Sequence, residues 1–430
     1  MKKRVPILTL WAGILLSSLG YAQTQPHVFR GATLIPIAGS PITNGLLVVQ
    51  NGKILAIGPA SQVKVPAGAV EIDARGKVIM PGLVDTHSHI GEGSGGDRTS
   101  TLNPEVRIVD ALNPYSDTFK KALAGGITTV NIMPGSGHLM SGQTAYLKLR
   151  EARRIEDMLF TDIDGICGGM KMANGTNPIG APPFSGTRGK SAALVRQLFT
   201  EAQEYGRKIK AAETDTTKQR PTRDLRMEAL QEILSGKRVV HFHTHQANDV
   251  LTAIRLSQEF GFRVVLHHVS EGWKVADEIA KAGVPSSIIV IDSPGGKVEA
   301  IDYSSTNGAM LEKAGAVVGF HTDDGVTDSR FFIRGAAMAV RNGMSREKAL
   351  EALTIVGANM LDLKQRVGSL EVGKDADLVV LSGDPLSVYT HVEQTWVEGI
   401  KRFDRSNEQD HKYAVGGFDA YRGIFDYHNH

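Results

Sequence analysis

The sequence predicts an α/β fold: a (β/α)8 TIM barrel carrying a small β-sandwich domain formed by both chain ends. Three observations lead there. Strand-like runs alternate with helical patterns through the middle of the chain, which implies a parallel sheet. Short strands and turns dominate the two ends. Histidines and aspartates gather where the middle runs stop, as they do on the active face of a barrel.

The first elements are "HVFRGATLIPI", "LLVVQNGKILAIG" and "GKVIM". Asn51-Gly52 joins two of the runs and predicts a tight hairpin. Eight runs follow as candidate barrel strands: residues 78–89, "GITTVNIMP", "TAYLKL", "DGICGGMKM", "RVVHFHTH", "FRVVLHHVS", "SSIIVID" and "AVVGFHTDD". Between several of them lie helical patterns such as "SAALVRQLFTEAQEYGRKIKAA", "NDVLTAIRLSQEFG", "GWKVADEIAKAG" and "SREKALEALTIVGANML". Strand character returns in "GSLEVGKDADLVVLSGDP" and "HVEQTWVEGIKR". The expected division is a signal peptide at 1–23, sandwich strands at 24–80 and 365–405, the barrel at 81–364, and a tail at 406–430.

Composition narrows the function. With 41% hydrophobic and 22% charged residues and a formal charge of +2 over 430 residues, no charge excess points to a nucleic acid or a membrane surface. "MKKR", the apolar "VPILTLWAGILLSSLG" and the small residues before Gln23 predict a cleaved secretory signal, hence a secreted or periplasmic protein. Cys167 is the single cysteine, so no internal disulfide forms; in the apolar "GICGGM" it reads as a buried structural thiol.

"PGLVDTHSH" places His87 and His89 two apart, on one side of a strand. His241, His243 and His245 close the fifth candidate strand, His267 and His268 the sixth, and His321, Asp323 and Asp324 the eighth. Neutral imidazoles and carboxylates are ligands for a divalent ion such as Zn2+, and a catalytic site keeps one position open. Alternation alone leaves His241, His243 and His245 equivalent. Of the adjacent His267 and His268 it lets only one face inward.

"PGLVDTHSH", the strand-ending histidines, "HTDD" and the returning "GKDADLVVL" together resemble the amidohydrolase superfamily, in the branch of imidazolonepropionase-like and prolidase-like enzymes. The resemblance runs from about residue 27 to about residue 400. It implies a metal held by His87, His89, His243, His268 and Asp323, with Asp323 also shuttling the proton between the metal's water and the leaving nitrogen. It implies hydrolysis of a C–N bond in a small cyclic amide or a dipeptide, with one or two ions, zinc first among them. Lys171, in "GGMKMANGTNP", is the lysine that many members carboxylate to bridge two metals. Relatives with a similar segment often carry glutamate where this chain has Thr176, which leaves the second metal open.

His138, Arg188, His245 and Arg330 are the candidate substrate contacts, the arginines for a carboxylate. His241 is expected deeper in the barrel, and His321 as a donor beneath the metal. A ring deaminase on the same site, or a secreted metal-binding scaffold without turnover, are the rival readings. A homo-oligomer is open to either.

Overall fold

The computed structural model describes residues 25–93, 95–161, 163, 165–290 and 297–416. The expected signal peptide lies outside them, as do residues 417–430 of the expected tail. Five strands come first: β1 (His27–Leu34), β2 (Ile42–Gln50), β3 (Lys53–Pro59), β4 (Val70–Asp73) and β5 (Val78–Pro81). The middle supplies β6 (Leu83–Ser88), β7 (Ile127–Ile132), β8 (Met140–Gln143), β9 (Ala145–Lys148) and β10 (Met170–Ala173). It continues with β11 (Val240–Thr244), β12 (Val264–His268), β13 (Ser286–Ile288) and β14 (Val318–Phe320), and the end with β15 (Leu378–Leu381), β16 (Val392–Val397) and β17 (Ile400–Asp404).

Both chain ends do build one β unit. Its hydrogen-bonded order is β17-β16-β15-β5-β1-β2-β3, with β4 on β1. This is one connected sheet, where the sequence suggested two facing layers. Asn51 (φ 52°) and Gly52 (φ 74°) turn the chain between β2 and β3, the left-handed pair a two-residue hairpin needs. Strand alternation then sorts the side chains: Phe29, Leu47 and Val49 enter one apolar cluster, and Val28, Leu46 and Val48 another. On β15, Leu378 and Val380 face the end sheet's core while Val379 and Leu381 join the large core of the middle segment.

The second half of the middle alternates as expected. β10 to β14 run parallel, and the helices lie between and after them: α1 (Asp117–Ala124) stands earlier, then α2 (Arg188–Thr214), α3 (Leu225–Leu234), α4 (Ala247–Phe260), α5 (Ala276–Ala282), α6 (Asn307–Lys313), α7 (Phe332–Arg341), α8 (Arg346–Ala352) and α9 (Ile355–Met360). The run "SREKALEALTIVGANML" is broken at Thr354, whose backbone (φ −136°, ψ −94°) is not helical. The tail expected from 406 begins instead with α10 (Glu408–Val415), whose buried Tyr413 donates to Asp117 Oδ1 at 2.8 Å.

The third candidate strand departs from the parallel expectation. "TAYLKL" forms β9, antiparallel to β7, and the chain just before it adds β8, antiparallel to β10. The ladders therefore form two sheets, β14-β13-β12-β11-β10-β8 and β6-β7-β9, and no closed barrel ladder runs through the described residues. Side chains bridge the gap between β14 and β6. Thr86 Oγ1 lies 2.6 Å from Ser287 Oγ and 3.3 Å from Phe320 O. No described helix is long and apolar enough to cross a membrane.

A buried ionic cluster joins the end sheet to the middle. Lys148 Nζ bonds Asp375 and stands 3.1 Å from Asp377 Oδ2, while Arg366 Nη2 reaches Asp375 Oδ2 at 2.9 Å. Removing one member strands the others without water. Lys148→Met is expected to cost about 3–5 kcal/mol, read as a lower urea midpoint at unchanged slope.

Candidate metal centre

Parallel register brings the chemistry together. Lys171 on β10 pairs with His241 on β11, Ala173 with His243, and His243 with His267 on β12. His87 ends β6 beside them, fully buried. His87 Nε2 lies 3.3 Å from His89 Nε2 and 3.4 Å from Asp323 Oδ1, and His89 Nε2 is 3.0 Å from the same oxygen. His89 Nδ1 is fixed on Met133 O at 2.8 Å.

Two backbone features put ligands where alternation would not. His268 and Val269 take left-handed φ values of 70° and 49°, which non-glycine residues rarely adopt. That turn breaks the two-residue period, so both His267 and His268 come inward, against the expectation that only one could. Their rings stand 5.0 and 4.9 Å from that of His87. Asp323 is left-handed as well (φ 47°), and such strain gathers at functional sites.

The two adjacent aspartates divide their work. Asp324 accepts from Lys121 Nζ at 2.9 Å and from Ser329 N at 2.9 Å, a buried structural pairing. Asp323 is left to the histidines, and its N–H donates to His87 O at 2.9 Å. Burial raises its carboxyl, but the hydrogen bond and charge of His89 prevail and hold it well below the usual carboxylate range.

Burial keeps the imidazoles neutral. It pushes His87, His243, His267 and His268 well below the ordinary value, His245 to about 4, and His241 and His321 to about 3. Neutral rings offer lone pairs to a cation. The ligand atoms of His87, His268 and Asp323 lie within 4.8 Å of one another, as do those of His243, His245 and His268, and of His87, His267 and His321. His245 Nε2 and His268 Nε2 are buried and without a hydrogen-bond partner. Such a donor set fits a divalent ion.

The supporting residues are equally defined. His321 joins Ser287 Oγ at 2.9 Å and His268 Nδ1 at 3.2 Å, so it braces His268. His241 lies deeper, between Tyr146 OH and His267 Nε2, both at 2.9 Å. Lys171 Nζ sits 2.9 Å from His87 Nε2 and 3.0 Å from Met133 Sδ, fully buried, and burial lowers it to about 7. Cys167 is half-buried, donates to Tyr146 O at 3.1 Å, and burial raises its thiol.

The structure does not leave the two candidate arginines open. Arg188 Nε is 3.0 Å from both Asp249 oxygens and its Nη2 donates to Gln246 at 2.9 Å. Arg330 forms a two-point pair with Asp328. Each spends its fork on a local carboxylate, which corrects the expectation that they await one from substrate. His138 is buried against Phe184, ring centroids 5.4 Å apart, under Gly96. His245 stands at the site, its Nδ1 2.7 Å from Ser270 Oγ.

Three contributors escape the sequence reading. Asp85, inside "PGLVDTHSH", accepts from Thr322 N at 3.0 Å and from Thr322 Oγ1 at 2.5 Å. Asn177 Nδ2 lies 3.1 Å from His243 Nε2. Glu299, buried in a short 3-10 helix (Val298–Ala300) after β13, points Oε1 at His243 Nε2 and His245 Nε2, 3.7 Å from each.

The sequence pattern of the family described as "Amidohydrolase family" matches residues 78–403. The chain belongs to the amidohydrolase family. It is a metal-dependent hydrolase of carbon–nitrogen bonds. A solved amidohydrolase from Thermotoga maritima MSB8 is 34% identical, covers 88% of this chain and 100% of its own, and superposes with a TM-score of 0.81. Amidohydrolase tasK of Hapsidospora irregularis is 28% identical over 393 residues, 84% of this amidohydrolase but only 40% of that relative's length. A 5-methylthioadenosine/S-adenosylhomocysteine deaminase of Symbiobacterium thermophilum is 26% identical over 401 residues, 83% of this chain and 85% of its own. Imidazolonepropionases also stand among its relatives and a prolidase among the solved structures of like fold.

Asp85→Asn keeps the shape but weakens the acceptor pair for Thr322. It is expected to cost roughly 1–3 kcal/mol in chemical denaturation. By loosening Asp323 it should also weaken zinc binding roughly 10-fold in a chelator competition.

Proposed function

We propose that this amidohydrolase is an exported enzyme on a (β/α)8 barrel scaffold that hydrolyses a C–N bond of a small cyclic amide or a dipeptide. The ion, zinc in this reading, is held by His87, His89, His243, His268 and Asp323. One observation carries the proposal: Asp323 Oδ1 stands 3.0 Å from His89 and 3.4 Å from His87 at the strand end, among neutral buried imidazoles. A bound divalent ion supplies a polarised carbonyl and a water that ionises near neutral pH. The rest falls to the chain. Asp323, with Oδ1 turned to the histidine pair, takes the water's proton on Oδ2 and returns it to the leaving nitrogen. His321 and Ser287 keep the His268 ring in place for that step.

Lys171 is carboxylated in this reading. An amine lowered to about 7 is largely unprotonated in mild alkali, so Nζ adds to the carbon of CO2 and loses one proton, giving a carbamate beside His87. Labelled bicarbonate is expected to give a carbamate carbon signal by NMR in the wild type. The signal should be missing from Lys171→Arg.

Export rests on the basic, apolar and small-residue order of residues 1–23. A deaminase among the relatives favours ring deamination as the second reading. An assay that follows ammonia beside one that follows the amine product separates the two.

Asp323→Asn should lower kcat by on the order of 10²–10⁴-fold with an unchanged circular dichroism spectrum. Full turnover in that variant would remove Asp323 from the chemistry. An enzyme that turns over no amide, cyclic urea or dipeptide would return the case to the scaffold reading.

A further inference from the structure

Side chains alternate along β11: His243 faces the metal centre, while Phe242 faces the helices outside it. There Phe242 helps line a cleft of about 460 Å3 between the start of α2 and the body of α4. That volume falls in the range of about 300–1,000 Å3 that small-molecule sites occupy. The inner surface is apolar, with buried Leu139, Val195 and Leu256 beside Phe242.

The charge of the cleft is one-sided. Arg188, Arg196 and Arg255 line it against a single acid, Asp249. Two of the three guanidiniums are committed. Arg188 pairs with Asp249, and Arg196 Nε lies 2.8 and 3.0 Å from the two oxygens of Glu259. Arg255 is not. Its Nη2 donates to Thr252 Oγ1 at 2.8 Å, and among the described residues no carboxylate comes within 4.0 Å of its guanidinium.

These features select a ligand. A cation would face three guanidiniums. A wholly polar anion such as phosphate would leave the apolar surface uncovered, and a plain hydrocarbon would leave Arg255 without a partner. A carboxylate on an apolar body satisfies both, because the guanidinium fork offers a carboxylate two parallel hydrogen bonds. No histidine stands among the described residues that line the cleft, so metal binding has no part in it.

We propose that the cleft between α2 and α4 is a second ligand site, separate from the metal centre, for a small organic carboxylate with an apolar body. Arg255 takes the head, and Phe242, Val195 and Leu256 cover the body. The site stands apart from the hydrolase reading, which holds whether or not the cleft is filled.

The full chain is titrated calorimetrically with sodium octanoate, both zinc-loaded and after chelator treatment. Octylammonium keeps the body with the opposite charge, and acetate keeps the head without the body. The wild type is expected to bind one octanoate with the same affinity in both metal states, and neither control. Arg255→Gln, at an exposed position, should weaken octanoate roughly 10-fold. Ala192→Phe, which keeps all three arginines and fills the cleft from α2, should abolish binding. Octanoate that binds only the zinc-loaded protein is a ligand of the metal centre and overturns the proposal. Equal binding of octanoate and octylammonium, equal binding by wild type and both variants, or no saturable binding at all overturns it too.

Discussion

The site depends on one seam. Asp85 near the start of the middle segment holds Thr322 near its end through the N–H and the hydroxyl, and Asp323 N donates to His87 O. These residues are more than two hundred positions apart in the chain, and no continuous ladder joins β6 to β14. The carboxylate of Asp85, pushed up to about 7 by burial, does locally what strand pairing does elsewhere. It ties the His87–His89 pair at the end of one sheet to Asp323 just beyond the last strand of the other.

Around that seam the chain tolerates several unfavourable arrangements at once. Seven buried histidines crowd together, desolvated and mostly unable to hold a charge. Two of the ligand-bearing residues hold left-handed backbones. The compensation is braced geometry: Tyr146, Ser270, Ser287 and Met133 O each fix a ring. Such a site is rigid before any ion arrives, which favours precise coordination.

Much of this was legible in the sequence because strand ends and short turns have local signatures. Asn51-Gly52 marks its hairpin, and the strand-ending histidines mark the site. Where long-range packing decides, the sequence says less. The antiparallel pairing of β8 with β10 and of β9 with β7 is a long-range choice that no single run displays. His267 looked excluded because alternation assumes an ordinary backbone, and the left-handed turn at His268 removes that assumption. Arg188 and Arg330 looked available because their partners are not visible from residue type alone, although Asp328 stands only two positions before Arg330. Glu299 has no motif around it. Thr176 reads as a place where a carboxylate is lacking, whereas in space it is where one is held.

The connected end sheet sets a limit on the order in which the protein can form. β5 lies between β1 and β15, so strands completed early in synthesis wait for residues 378–404 before their sheet is whole. Contacts of that sequence separation slow folding, because chain closure comes before any pairing rewards it. The Lys148 cluster has the same dependence, since Asp375 and Asp377 are made long after Lys148. The amidohydrolase therefore acquires its native base only when nearly the whole chain is present, and its folding is a late, collective event rather than a growing one.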